Sequence, residues 1–319
     1  MRAVVASDGK PVIVNDYPAP PMTADGVRIA VRATALNRAD LMQVRGQYPP
    51  PAGAPHTLGL ELAGEIVDVG ANVTGWQVGQ RVMALVAGGG YAEQAVVHHE
   101  HIMPIPDNLS YEQAAAIPEA FLTAYSNMIE IGRLCDNERV LIHAGASGVG
   151  LAAIQIAHVS GAEVYTTASA AKHAICRENG ADVVIDYRTQ NFADVIRQTC
   201  GGVHLVIDFI GAPYWDDNVR VLEKWGRLVL VGLMGGTEKT ISLRDIMAKR
   251  LSIMGSTLRN REQALKSALI ANFSGWALPL FANGDLQPNV WRVMALDDVA
   301  AAHALMRENQ NAGKIVLTL

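Results

Sequence analysis

A glycine-rich loop stands between an apolar strand and a helix in the middle of the chain. The predicted strand, 139–144 (RVLIHA), leads into 145–150 (GASGVG), and a helix over 148–160 follows at once. Small residues let the backbone approach a pyrophosphate, and the helix N-terminus offers its N–H groups to the negative charge. A tight glycine turn without a ligand is the alternative. The context favours a dinucleotide site formed by Gly145, Ser147, Gly148, Val149 and Gly150.

Five further apolar strands follow this loop at regular intervals. They are predicted at 162–168, 182–186, 205–210, 227–233 and 251–257, with helical stretches between them. Strands that are apolar throughout and alternate with helices form a parallel sheet that is covered on both faces. The pattern therefore predicts an α/β fold, with a doubly wound, six-stranded parallel sheet of the Rossmann type.

The first ~120 residues follow a different pattern, in which Gly and Pro interrupt short strand-like segments. These segments lie at 27–35, 61–69, 81–87 and 92–97, and no long helical periodicity occurs before residue 111. The pattern predicts an irregular antiparallel barrel. The tail contains helical stretches and ends in a strand, 314–319 (KIVLTL), which needs a partner strand.

Charge and composition argue against several classes of function. The chain has 319 residues, a net charge of −5 and no basic run, so a nucleic-acid partner is not expected. No apolar stretch approaches the ~20 residues of a membrane span, and the first residues predict a strand rather than a signal peptide. The three cysteines form no C-x-x-C pair and fit a reducing compartment. We therefore expect a cytoplasmic protein without a membrane partner.

The end of the second strand of the parallel sheet bears on the choice of cofactor. NAD-dependent enzymes place an Asp or Glu there, which holds the ribose hydroxyls and would repel a 2′-phosphate. This chain has Thr166, Thr167, Ala168 and Ser169 instead, and Lys172 follows within one helical turn. Hydroxyl, N–H and ammonium groups suit a phosphate dianion. The pattern favours NADPH; the alternative is that Lys172 is an ordinary solvated helix residue.

Seven short segments, distributed over nearly the whole chain, match a known family in order. They are 35–43 (ALNRADLMQ), 46–48 (GQY), 114–120 (AAAIPEA), 122–124 (LTA), 214–215 (YW), 232–236 (GLMGG) and 313–317 (GKIVL). With them the chain resembles the zinc-free quinone oxidoreductases of the medium-chain dehydrogenase/reductase superfamily, and within these the tumour-suppressor-inducible subtype.

The resemblance implies a GroES-like, mostly-β catalytic domain into which the Rossmann domain is inserted. The implied boundaries are 1–122 and 260–319 for the catalytic domain and 123–259 for the dinucleotide-binding domain. A homodimer through the edge strand from Leu251 to Thr257 is implied as well, because an exposed apolar edge is a liability unless it is paired.

The resemblance also implies residues of the site. Asn37, Asp40 and Tyr48 would border the substrate cleft, although Asn37 and Asp40 could simply cap a helix near residue 39 and Tyr48 could pack a loop. Lys172 and Tyr187 would contact the 2′-phosphate, with Ser169 in the same pocket. The other residues expected to bind the cofactor are Thr123, Ile210, Gly232, Leu233, Met234 and Arg259.

No metal site is expected. Zinc-dependent members of the superfamily hold a catalytic zinc with Cys, His and Cys, and the matching positions here are Asn37, Leu60 and Glu119. A catalytic zinc needs three protein ligands of N, S or O type, and Leu60 provides none. The four clustered cysteines of a structural zinc are missing too. The run 98–101 (HHEH) is interpreted as a surface turn, because adjacent residues at a strand end point to opposite sides.

A site without a metal favours acceptors that are electrophilic enough to take a hydride directly, such as quinones and conjugated enones. The resemblance implies an NADPH-dependent quinone reductase that uses neither metal nor flavin. An alkenal or enone reductase is an alternative of the same class. A cofactor-binding protein with a structural or regulatory role and little turnover is an alternative of another class. No residue of the sequence stands out as a proton donor, and solvent or a tyrosine could supply the proton.

Overall fold

The computed structural model describes residues 1–319 and divides into two compact units. The first unit contains Met1–Leu122 and Leu258–Leu319, and the second contains Thr123–Thr257. The second unit is therefore one continuous segment, whereas the first is built from both ends of the chain.

Short strands dominate the N-terminal part of the first unit. Its elements are β1 (Ala3–Ser7), β2 (Lys10–Val14), β3 (Gly26–Ala35), α1 (Arg38–Val44), β4 (Glu61–Val69), β5 (Arg81–Leu85), β6 (Gln94–His98), β7 (Ile102–Pro104), α2 (Tyr111–Ala114) and α3 (Pro118–Tyr125). The helix α3 crosses the boundary at residue 122, and the π-helical segment that continues it, Ser126–Ile131, belongs to the second unit. Glycines allow close approaches between these strands: a Cβ on Gly64 would collide with the carbonyl of Ala30 on the neighbouring strand.

Strands and helices alternate through the second unit. Its elements are β8 (Arg139–Ile142), α4 (Gly148–Val159), β9 (Glu163–Ala168), α5 (His173–Glu178), β10 (Val183–Asp186), α6 (Phe192–Thr199), β11 (Val203–Asp208), α7 (Trp215–Val221), β12 (Leu222–Leu230), α8 (Leu243–Lys249) and β13 (Ser252–Gly255). All six strands are parallel, in the order β10-β9-β8-β11-β12-β13. The predicted α/β fold with a doubly wound parallel sheet is confirmed.

Burial explains why the strands of this sheet read as continuous apolar runs. On the central strands β8 and β11, Leu141, Val206 and their neighbours are fully buried, because helices cover the sheet. The strand order reverses between β8 and β11, and such a reversal leaves a crevice at the carboxyl ends of the strands.

The C-terminal tail completes the sheet of the first unit. Its elements are α9 (Gln263–Asn283), β14 (Val290–Ala295), α10 (Val299–Arg307) and β15 (Lys314–Thr318). The strand β15 pairs antiparallel with β3 and parallel with β14, which gives the order β14-β15-β3-β4-β5-β7, with β6 also paired to β3. The terminal strand thus finds its partner near the start of the chain. None of the helices has the length and apolar character that crossing a bilayer requires.

Four strands of the second unit end earlier than the sequence predicts. The strands β8 and β13 end at Ile142 and Gly255 rather than at residues 144 and 257. The strand β11 ends at Asp208 rather than at residue 210, because its carboxylate accepts hydrogen bonds from the N–H groups of Ile210 and Gly211 and turns the chain. The strand β12 ends at Leu230 rather than at residue 233. Ile210 and Gly232–Met234 therefore lie in loops after the sheet, where backbone and side chains are available to a ligand.

Candidate active site and dinucleotide site

Close packing inside the second unit requires two glycines of the predicted fingerprint. A Cβ on Gly145 would collide with the hydroxyl of Thr166 on β9, and one on Gly150 would collide with the carbonyl of Ala144. Ala144 itself takes a left-handed conformation, with φ 51°, as the chain leaves β8. The loop thus lies directly against the carboxyl ends of β8 and β9.

Ser147 begins α4 and leaves two N–H groups free. Its hydroxyl accepts a hydrogen bond from the Gly150 N–H at 3.0 Å, which caps the helix. The N–H groups of Gly148 and Val149, both partly exposed, have no partner within the protein. Unpaired N–H groups at the start of a 12-residue helix suit a pyrophosphate, so these residues fit a dinucleotide.

The structure brings most of the predicted cofactor residues to one edge of the sheet. Because all six strands are parallel, their carboxyl ends share this edge. The residues that follow these ends are the loop 145–150 after β8, Ser169 and Lys172 after β9, Tyr187 after β10, Ile210 after β11 and Gly232, Leu233 and Met234 after β12. Thr123 is a buried residue of α3 and belongs to the second unit, whereas Arg259 belongs to the first.

The threonines at the end of β9 do not offer their hydroxyls to a ligand. Thr166 donates to the carbonyl of Ile142 at 2.7 Å, and the Thr167 hydroxyl lies 3.0 Å from Nδ1 of His143. Both residues are buried. The expectation that these hydroxyls serve a phosphate is therefore corrected: their partners lie inside the fold. The first partly exposed residue at this strand end is Ser169.

Two cations and a phenol lie beyond the ends of β9 and β10. Lys172 ends a short 3-10 turn, and burial, followed by the positive charge of Arg188, lowers the pKa of Lys172. The Arg188 guanidinium lies 5.9 Å from the ring centroid of Tyr187, whose side chain is exposed. The sequence analysis did not predict Arg188 as a site residue, although it directly follows Tyr187, which was predicted to contact the 2′-phosphate.

A buried chain of hydrogen bonds connects three strand ends below this edge. Asp208 on β11 accepts from Nδ2 of Asn218 at 3.0 Å, and Oδ1 of Asn218 lies 2.7 Å from Nε2 of His143. Since the carboxylate fixes the orientation of the amide, Nε2 of His143 must carry the proton, and Nδ1 accepts from Thr167. Burial lowers the pKa of His143 to about 4, so the ring is neutral. Burial likewise raises the pKa of Asp208 to about 6.

In the first unit, a buried ion pair lies beside Asn37. Lys314 at the start of β15 donates to Oε1 of Glu61 at 2.6 Å, to Oδ1 of Asn37 at 2.7 Å and to the carbonyl of Leu36 at 2.7 Å. Nδ2 of Asn37 donates to the same Glu61 oxygen at 2.8 Å. Both polar ends of the Asn37 amide are therefore engaged inside the protein.

Asp40 is equally enclosed. It is fully buried, and its carboxylate accepts hydrogen bonds from the Asn37 N–H at 2.7 Å, the Tyr91 hydroxyl at 2.9 Å and the Gly59 N–H at 3.3 Å. Burial raises the pKa of Asp40 to about 6, against the effect of these donors. These contacts join α1 to the segment that precedes β4, and they leave Asp40 no exposed atom for a substrate.

Glu119 occupies the second position of α3. Its backbone N–H donates to Oε2 of Glu61 at 2.8 Å, but its own carboxyl group has no hydrogen bond or ion pair in the protein. Burial, and then the charge of Glu61, raise the pKa of Glu119 to about 8. We call Asn37, Asp40, Glu61, Tyr91, Glu119 and Lys314 the polar cluster.

Tyr48 and Arg259 form a second group in the first unit. Arg259 donates to the carbonyls of Ala87 and Tyr48 and to Oε1 of Gln43, and its guanidinium lies 5.1 Å from the Tyr48 ring centroid. Burial, and then the charge of Glu119, raise the pKa of Tyr48, so its hydroxyl keeps its proton. A contact of Arg259 with the cofactor stays a prediction.

No group of three or more His, Cys, Asp or Glu side chains is arranged to hold a metal ion. The first unit nevertheless contains site residues that the sequence did not single out, above all Lys314. A lysine at the start of an apolar strand looks like a solvated flank, and only the pairing of β15 with β3 brings it to Glu61.

Comparisons with known proteins agree with this architecture. Residues 23–107 match the family model described as alcohol dehydrogenase GroES-like domain, and residues 148–274 match the one described as zinc-binding dehydrogenase. The synaptic vesicle membrane protein VAT-1 homolog is 31% identical in Danio rerio, over 94% of this chain and 65% of that protein. The human protein of the same name is 31% identical over 94% of this chain and 80% of its own length. The chain thus spans just under two thirds of the zebrafish relative.

Solved structures extend the similarity over the full chain. A structure titled NAD-dependent alcohol dehydrogenase is 31% identical, with a TM-score of 0.89 and full coverage of both chains. The quinone oxidoreductase of Escherichia coli, complexed with NADPH, is 26% identical, with a TM-score of 0.88 over 100% of this chain and 99% of that one. The CurK enoyl reductase is 30% identical, with a TM-score of 0.87 over 99% and 98%.

Proposed function

Because the chain belongs to the medium-chain dehydrogenase/reductase superfamily, we propose that this oxidoreductase reduces quinones with NADPH, by direct hydride transfer and without a metal or flavin. The likeness to the Escherichia coli quinone oxidoreductase supports the quinone as acceptor. A cytoplasmic location stays a prediction.

The proposal of a metal-free reaction rests on one observation, the buried ammonium of Lys314. Of the three positions that match zinc ligands, Leu60 has no donor atom and Asn37 gives its amide oxygen to Lys314. A fixed positive charge at this place repels a divalent cation, and two oxygen-bearing side chains do not form a zinc site. Protein purified without a metal-affinity tag should contain far less than one zinc per chain.

The nicotinamide cofactor would supply the hydride when bound. The free N–H groups of Gly148 and Val149 would hold its pyrophosphate. Lys172 and Arg188 would attract a 2′-phosphate, and the Tyr187 hydroxyl would donate to it. The preference for NADPH over NADH rests on these two cations and on the absence of an acid at the end of β9.

Tyr48 is the residue of the first unit that we expect to contact the acceptor. Tyr48 is partly exposed and its hydroxyl is protonated, so it can donate a hydrogen bond to a carbonyl oxygen on which negative charge develops. Asn37 and Asp40 have their polar groups engaged, so we expect them to hold the shape of the site instead.

A second candidate is the reduction of conjugated enones or enoyl compounds. The CurK enoyl reductase, at 30% identity over nearly the whole chain, favours it. The mechanism is that of quinone reduction, except that a different atom of the acceptor takes the hydride. A cofactor-binding protein with little turnover is the third candidate, from another functional class.

One panel of assays separates the three. The wild-type protein is mixed with NADPH and either para-quinones or conjugated enones and enals, and cofactor oxidation is followed by absorbance. A higher kcat/KM for quinones supports the first candidate, and a higher value for enones favours the second. Cofactor binding without turnover of either class points to the third.

Variants of Tyr48 test its role in the same assay. Tyr48→Phe should lower kcat/KM at least about tenfold, the loss expected for one hydrogen bond. Tyr17→Phe, in which the phenol bonds to no other side chain, is the matched control and should behave as wild type. Equal activity of Tyr48→Phe and wild type would remove Tyr48 from the mechanism.

A further inference from the structure

The polar cluster contains three carboxyl groups, and only two of them have hydrogen-bond partners. Asp40 accepts three hydrogen bonds, and Glu61 accepts two from side chains and one from the Glu119 N–H. The carboxyl group of Glu119 accepts none, and its side chain is only partly buried. It is therefore the one carboxyl group of the cluster that can contact a bound molecule.

Burial, and then the charge of Glu61, keep Glu119 in its acid form, against the opposing charges of Lys314 and Arg259. The groups that face it are Asp40 on α1, Tyr48 in the following loop, Glu61 on β4, Lys314 on β15, Arg259 before α9 and Lys266 on α9. The ammonium of Lys314 is bound to Glu61, and Arg259 donates to carbonyl and amide oxygens. An ionised Glu119 would thus be half-buried next to Glu61 without a cation bound to it, which agrees with its raised pKa of about 8.

We propose that Glu119 is the proton donor of the reduction, an inference that rests on the function proposed above. With an enone, the hydride from the reduced nicotinamide forms a C–H bond at the β-carbon, and the C=C electron pair moves to give an enolate. The O–H bond of Glu119 then breaks, its proton goes to the α-carbon or the oxygen, and the carboxylate regains a proton from water. With a quinone, the proton goes to the oxygen of the hydroquinone monoanion. The acceptor gains one hydride and one proton in either case.

Tyr48 and Glu119 can serve two separate roles in the reduction. Burial raises the pKa of Tyr48, and an ionised Glu119 raises it further, so the two groups interact electrostatically. Tyr48 would bind the acceptor oxygen, and Glu119 would deliver the proton. A general acid is most efficient when its pKa lies near the working pH.

The test compares Glu119→Gln with Glu100→Gln, a change of an exposed glutamate that contacts no residue of the cluster. Glu119→Gln should lower kcat by about 100-fold or more, the range of general acid catalysis, whereas the Kd for NADPH stays within about twofold. In the wild type, kcat should fall as the pH rises through about 8, and Glu119→Gln should lack this limb. Carbon NMR of carboxyl-labelled glutamate, without substrate, should show one resonance that titrates near this pH and disappears in the variant.

The outcomes separate this inference from the proposed function. A Glu119→Gln protein with wild-type kcat and an unchanged basic limb overturns the proton donor alone, as does a Glu119 resonance that titrates at the ordinary pH of a glutamate. A wild type without turnover of quinones or enones overturns the proposed function together with it. If Glu119→Gln does not fold, Glu119→Asp replaces it: this variant should have a lower kcat but keep the basic limb, and loss of the limb would overturn the inference.

Discussion

Glu61 at the start of β4 and Lys314 at the start of β15 form a buried ion pair, with 2.6 Å between Oε1 and Nζ, although 253 residues separate them in sequence. The side chains are 0% and 4% exposed. Through this pair the last strand of the chain is bound to the N-terminal part of the first unit, next to Asn37 and Glu119. The site residues of this unit therefore depend on the C-terminal tail.

Breaking the pair should be costly. Lys314→Met leaves the Glu61 carboxylate buried without its cation, so we expect the free energy of unfolding to fall by about 3–5 kcal/mol. The double variant Glu61→Gln/Lys314→Met should recover much of this loss, because no unpaired charge remains. Urea denaturation of the two single variants and the double variant measures the coupling. Losses that simply add would contradict the pairing, and Lys10→Met, an exposed change, is the control.

Because the pKa of Glu119 is raised in the folded protein, we expect the free energy of unfolding to fall as the pH rises. The folded protein holds this proton up to about pH 8, whereas the ordinary value is 4.5. The contribution of Glu119 to stability is thus complete below about pH 4.5 and is lost as the pH rises through 8. Relative to Glu119→Gln, the wild type should lose stability between pH 5 and 9 in urea denaturation. Parallel curves for the two proteins would show that Glu119 titrates normally.

The buried chain of Asp208, Asn218 and His143 should hold the loop after β11 in place. Asn218→Ala leaves Nε2 of His143 without a partner and removes one donor from Oδ2 of Asp208, which keeps the Gly211 N–H. We therefore expect a loss of roughly 1–3 kcal/mol in unfolding free energy, the cost of one buried group without its hydrogen bond. Cofactor binding should weaken as well, since Asp208 fixes the N–H groups of Ile210 and Gly211. Thermal denaturation and fluorescence titration measure the two effects. The control is Gln198→Ala at an exposed position, and equal behaviour of both variants would refute this role.

Local patterns predicted the fold, but they did not predict the partners inside the site. The six-stranded sheet could be predicted from apolar runs and a glycine loop, because each of these patterns lies within a short segment of the sequence. The partner of Lys314 depends on a strand pairing across the whole chain. The threonines of β9 show the same limit: their positions were predicted, but their hydroxyls bond to Ile142 and His143 instead of facing outward.

The edge of the parallel sheet should form a dimer interface. The strand β13 is the last of the sheet, and Leu243 and Met247 on the neighbouring α8 are 69% and 76% exposed. Pairing of two such edges would cover this apolar surface. Light scattering at micromolar concentration should give a dimer, and Met247→Glu should shift it towards the monomer. Val78→Glu alters another exposed apolar residue, which belongs to the first unit, and should leave the dimer intact. A monomeric wild type would rule out the interface.

The preference for NADPH should depend on Lys172 and Arg188. Both would bind the 2′-phosphate, and a hydrogen bond to a charged group is worth roughly 1.5–3 kcal/mol. Lys172→Ala should therefore weaken NADPH binding about 10- to 100-fold, and Arg188→Ala by a similar factor. NADH has no 2′-phosphate, so its Kd should hardly change. Fluorescence titration of both cofactors measures this difference, which is insensitive to a general loss of folding.

Lys224→Ala is the matched control for these variants, because Lys224 is an exposed lysine of the same unit near the start of β12, away from the carboxyl ends of the strands. Its NADPH affinity should equal that of the wild type at a fixed salt concentration. A wild type that prefers NADH would remove the basis of the assignment. If Lys172→Ala weakened both cofactors equally, the lysine would support the fold of the site rather than select the phosphate.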